Sequence, residues 1–138
     1  MAGESIFPKE MLSSGVLSLD VIKAKLNYFE LQIHELHWQT KNYAEHIALG
    51  NLYDKIFDLK DEIVEKIMGY TGIRTKAMSV DLIKNYSSGL STQVVNELII
   101  FAKQLESYAD SNNMPDIANI AQSLSGDASR TKYLLTMS

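Results

Sequence analysis

The chain has 138 residues, 46% hydrophobic and 22% charged, with a formal net charge of −4 and no cysteine. That length suits one domain with a buried core. The missing thiols exclude a disulfide framework and any thiolate metal site, and an acidic balance without a Lys/Arg run argues against nucleic acid as a partner. No stretch approaches the roughly 18 apolar residues of a membrane span, and "MAGESIFPKE" lacks the basic-then-apolar pattern of a signal peptide. A cytoplasmic protein with no membrane partner is therefore expected.

Residues 1–17 read as an N-terminal extension to a single domain. From Ser18, the apolar residues Ile22, Leu26, Phe29, Ile33 and Leu36 step by four, three, four and three, a helical stripe facing a core. Asp20, Lys23, Asn27, Glu30, His34, His37 and Lys41 fall on the opposite face, and the helix should end near Thr40. Asn42, with Glu45 three positions on, reads as a variant capping box opening a second helix. Leu52, Ile56, Leu59, Ile63 and Ile67 line one side of it, and Gly69 and Gly72 mark its end. "SVDLIKNY", bounded by "SSGLS", predicts a short helix within a long connection.

A third helix is predicted from about Thr92 to Asp110 on Val95, Leu98, Ala102, Leu105 and Ala109. "SNNMPD" breaks it, with Pro115 suited to the first turn of a fourth helix. That helix carries Ile117, Ile120, Leu124, Ala128 and Leu135, with a loosening expected at Gly126. The fold class is thus all-α: a four-helix bundle of ferritin-like type, with a long crossover connection carrying a short helix.

All three histidines and the single tryptophan lie in "IHELHWQTKNYAEH", Ile33 to His46. A di-iron site inside a bundle needs a Glu from each of two helices and a Glu-x-x-His from each of the other two. No Glu-x-x-His occurs, the third helix offers only Glu97 and Glu106, and the fourth has neither Glu nor His. The remaining ligand types crowd onto the first two helices: Glu30, His34 and His37 on one, Asp54, Asp58, Asp61 and Glu65 on the other, with His46 near its start. Neutral imidazole with carboxylate suits iron, zinc or manganese. The plain alternative is a solvated acidic face interleaved with Lys55, Lys60 and Lys66, surface histidines, and Trp38 anchoring a helix end. Nucleophilic catalysis has no support, with no Gly-x-Ser-x-Gly elbow and no Gly-rich phosphate loop.

"HELHWQTKN", "DEIVEKIMGYTG", "MSVDLIKNYSSGLST" and "MPDIANIAQSLSGDASRTKYLL" together resemble the Dps family, the miniferritins, over roughly Ser18 to Leu135. The resemblance implies a homo-oligomer, a hollow dodecamer, that binds iron as Fe2+/Fe3+ at its two-fold interfaces. It also implies ferroxidase activity, the oxidation of Fe(II) by peroxide or oxygen, and iron storage. Carried over, His37 matches the His of His-Trp, His46 the second His, and Asp61 with Glu65 the Asp-x-x-x-Glu pair supplied by the two-fold partner. His34 and Asp54 stand in reserve. Two departures follow: Gly50 stands where the family has a ligand Asp, and the interval from His37 to His46 is nine residues, about three shorter than usual. The motif is therefore incomplete, with one strong metal position expected per site instead of two. The alternative is a metal-free ferritin-fold assembly or structural protein that has lost the chemistry. DNA compaction, the family's other activity, is opposed by the charge.

Overall fold

A computed structural model describes residues 17–138; residues 1–16 of the expected extension lie outside the described residues. Among the described residues there are four long helices and no strand: α1 Leu19–Gln39, α2 Tyr43–Thr71, α3 Leu90–Ser111 and α4 Pro115–Leu135. None of them is long and apolar enough to cross a membrane.

Local chemistry sets most of the boundaries. The Ser18 side chain accepts the Val21 N–H at 3.3 Å to open α1, and Asn42 accepts the Glu45 N–H at 2.9 Å to open α2; such a cap is worth about 1 kcal/mol. Gly72 ends α2 in the left-handed region at φ 70°, where a side chain would be strained. Pro115 begins α4, where its missing N–H costs nothing, after a tight turn in which Asn113 takes φ 57°. Two predicted details change. α3 starts at Leu90 rather than Thr92, and α4 runs through Gly126 without a break.

The predicted stripes form the core, except that Leu59 and Ile120 are only partly buried at its edge. Ile22, Leu26, Phe29, Ile33 and Leu36 of α1 meet Leu52, Ile56, Ile63 and Ile67 of α2, Val95, Leu98, Ala102, Leu105 and Ala109 of α3, and Ile117, Leu124 and Ala128 of α4, all buried. Each large aliphatic side chain so buried contributes about 1.5–3 kcal/mol. α1 pairs with α2 and α3 with α4 as antiparallel hairpins, while α2 packs on α4 and α1 on α3. The path is up, down, down, up.

That path needs a connection returning along the bundle between α2 and α3, and here the structure corrects the sequence. The short helix predicted over "SVDLIKNY" is absent: residues 72–87 contain no helix. They run along α1, held by its side chains. The Lys76 N–H donates to Asp20 Oδ1 at 2.8 Å, and Lys23 Nζ donates to the Lys76 carbonyl. Gln32 makes two hydrogen bonds to one residue, accepting the Lys84 N–H at 2.7 Å and donating to the Lys84 carbonyl at 3.0 Å. Gln39 accepts the Tyr86 N–H at 2.6 Å and donates to Asn85 Oδ1 at 3.0 Å. From Asp20 to Gln39 is about 28 Å at 1.5 Å per helical residue. The ten steps from Lys76 to Tyr86 must match it, which requires about 2.8 Å per residue. Extended chain supplies that length and a helix does not.

Candidate functional site at the junction of the first two helices

α1 and α2 are joined by only three residues, 40–42, so the last turn of α1 lies beside the first turn of α2. The ring of His37 stacks on that of His46, with centroids 3.9 Å apart and planes at 15°. Each imidazole reaches the other's backbone: His37 Nδ1 lies 2.7 Å from the His46 carbonyl oxygen, and His46 Nδ1 lies 2.8 Å from that of His37. A carbonyl only accepts, so both Nδ1 atoms carry a proton, and a ring in its neutral form has its lone pair on Nε2. A metal-ligating histidine is commonly oriented in this way, its other nitrogen donating to a carbonyl.

Gly50 explains itself at this junction. A Cβ built there would lie 2.7 Å from Cε1 and 2.9 Å from Nδ1 of His37, so the ring occupies the space that a side chain would fill. The short interval and the glycine thus form one arrangement: the tight connection swings His37 over position 50.

Beneath the junction, Glu45 is buried and serves as a polar anchor. It accepts from Thr40 Oγ1 at 2.6 Å and from the Tyr86 hydroxyl at 2.7 Å. Burial by itself would raise the carboxyl, but the neighbouring hydroxyls more than offset this and hold it below its ordinary value. The capping box is therefore only half made. Asn42 caps α2 as predicted, while the Glu45 side chain ties the junction to the crossover through Tyr86.

His34, the reserve ligand, packs on two aromatic rings, tilted at 33° to Trp38 with centroids 3.6 Å apart and stacked on Tyr53 at 3.7 Å. Burial, then the neighbouring His37, lowers its pKa against the opposing pull of Glu30, Asp54 and Glu35. Asp54 is exposed and shares with His34, His37 and Gly50 an open depression of about 360 Å³. Glu30 is committed elsewhere, paired with Lys60, which also donates to Asn27 Oδ1 at 3.0 Å. Asp61 and Glu65 are exposed on α2, about 22 Å and about 28 Å beyond His46 at 1.5 Å per residue. The chain thus brings His37 and His46 together but keeps Asp61 and Glu65 apart from them. Among the described residues no group of three or more His, Asp or Glu is disposed to hold a metal ion.

Sequence reasoning missed the seat at position 50, the Trp38–His34–Tyr53 stack and the crossover-binding role of Gln32 and Gln39. The stack had a signal, because Trp38 stands four residues after His34 on one helical face. The glutamine contacts had none, because their partners lie more than forty residues away and are mostly backbone groups.

The model of a family described only as a family of unknown function (DUF5856) matches residues 37–135, most of the chain. The chain belongs to this family. The DUF5856 match begins at His37 and so takes in the whole His37–His46 junction, Gly50 and the crossover. The chain is also 26% identical over 125 residues to an uncharacterized 14.6 kDa protein in the mobD-ri intergenic region of Enterobacteria phage T4, covering 86% of this chain and 85% of that protein. No solved structure matches it.

Proposed function

We propose that this DUF5856 member is a Dps-like metal-binding protein whose sites form between two copies, His37 and His46 of one copy meeting Asp61 and Glu65 of the other. The observation carrying this reading is the reciprocal pair of Nδ1–carbonyl bonds, which leaves two Nε2 lone pairs at one junction. Two imidazoles are half of a four-ligand site, and the exposed carboxylates one turn apart on α2 are suited to the other half. The single long crossover, the connectivity of ferritin-like bundles, supports the reading. So does the outer face of α1 and α2, where Leu31, Trp38, Tyr43, Ile47 and Phe57 are exposed as an apolar surface suited to pairing. Bound Fe(II) would be substrate and cargo, oxidised by peroxide or oxygen; Zn(II) and Mn(II) suit the same donors. With the His37 ring over position 50, one metal position per site is expected.

The test is the stoichiometry of Zn(II) and Fe(II) for the parent, His37→Ala and Asp61→Ala, with the mass by light scattering. About one metal per subunit, lost in both variants, on an assembly far heavier than 15.5 kDa is the expected result. Equal binding by all three proteins, or a mass near that of one chain, refutes the proposal. A second reading, a metal-free assembly protein, is favoured by the same junction, because stacking and two hydrogen bonds account for both rings without an ion. It predicts an assembly that binds no metal.

A further inference from the structure

We infer that Gly50 is a positioning residue: its missing side chain seats the His37 ring on α2, and this seat holds the Nδ1–H tautomer that presents Nε2 to a metal. The inference rests on the reading of His37 as a ligand for its consequence, but the seat itself can be measured without any metal.

The geometry leaves little room for another residue. A Cβ at position 50 would meet His37 Cε1 at 2.7 Å and Nδ1 at 2.9 Å, and Nε2 at 3.6 Å, where ordinary contact begins near 3.4 Å. Relieving the closest contact therefore needs a shift of about 0.7 Å, which the ring can make only by giving up the contacts that hold it. It is held on one side by the 2.7 Å bond from Nδ1 to the His46 carbonyl and against the His46 ring at 3.9 Å. A bond at 2.7 Å lengthened by that amount leaves the hydrogen-bonding range. Once Nδ1 loses its acceptor, the Nδ1–H form is no longer held, and part of the population carries its proton on Nε2, which then cannot ligate. Because the two rings are stacked, His46 loses a stacking partner at the same step, while its own bond to the His37 backbone carbonyl can persist. The sequence context makes this glycine unusual. It lies inside a 29-residue helix with an ordinary helical φ, since only Gly72 and Gly89 have positive φ among the described glycines. Backbone freedom is therefore not its purpose, and helix propensity disfavours it.

Gly126 provides a matched control, a glycine inside α4 whose built Cβ meets nothing within 4 Å. The experiment is a two-bond 15N–1H correlation spectrum of 15N-histidine-labelled full chain, with a parallel Zn(II) titration against a competing chelator. The parent and Gly126→Ala should show His37 and His46 in the single Nδ1–H form. Gly50→Ala should show mixed His37 tautomers, and its Zn(II) affinity should fall in proportion to the lost Nδ1–H fraction, about two- to fivefold. An unchanged His37 signature in Gly50→Ala overturns the seat. Mixed tautomers with unchanged Zn(II) affinity uphold the seat and overturn His37 as a ligand, so the two readings fail separately. Should Gly50→Ala fold poorly, the His37→Ala background decides. With the ring removed, Gly50→Ala should raise the melting temperature as Gly126→Ala does; a fall there overturns the inference.

Discussion

The Gln32 side chain is fully buried and closes a two-bond ring on the backbone of Lys84, so Gln32→Ala isolates what holds the crossover on α1. Each hydrogen bond is worth about 1 kcal/mol net, because the Lys84 groups sit in an exposed stretch where water can replace the amide. The lost methylene adds about 0.8 kcal/mol. The expected destabilisation is therefore about 2–3 kcal/mol, a fall in Tm of roughly 6–10 °C for a chain of this size. Urea denaturation reads the first quantity, and amide hydrogen exchange at Lys84, at least tenfold faster, reads the local one. Gln32→Glu sharpens the test. Its carboxylate still accepts the Lys84 N–H but faces the Lys84 carbonyl, so the penalty should shrink on acidification, when a neutral carboxyl can donate. A loss below about 0.5 kcal/mol, the range of ordinary surface substitutions, with unchanged protection at Lys84 would show that the crossover is held by other contacts and refute the length-matching account.

Two further outcomes are expected. Glu45 has a folded pKa lowered below its ordinary 4.5, so its contribution to stability is complete above the unfolded value and is lost as pH falls through the folded one; Glu45→Gln should flatten that part of the acid-unfolding curve, and an unchanged curve refutes the hydroxyl anchor. With a net charge of −4, no gel shift of duplex DNA is expected from submicromolar protein at physiological salt, and a clear shift overturns the charge argument.

Helix geometry is local, and so the core is legible in the amino-acid sequence alone. A residue every three or four positions must share a face whatever the helix packs against, which is why Ile22, Leu26, Phe29, Ile33 and Leu36 read as one buried stripe. Caps are local for the same reason: Asn42 meets an N–H three residues away. The ligand types are legible too, since the first two helices hold every histidine. The crossover is not. "SVDLIKNY" has a helical pattern, but the distance it must cover is set by the length of α1, and reach outweighs propensity there. The opposite face of α1 is legible as polar but not as occupied, because Asp20 and Lys23 bind the crossover backbone and Glu30 pairs with Lys60 across a helix boundary. Gly50 shows the same division. The sequence marks it as a departure, yet whether it is a lost ligand or a made space depends on where the His37 ring comes to rest, and that follows from the packing of two helices joined by three residues.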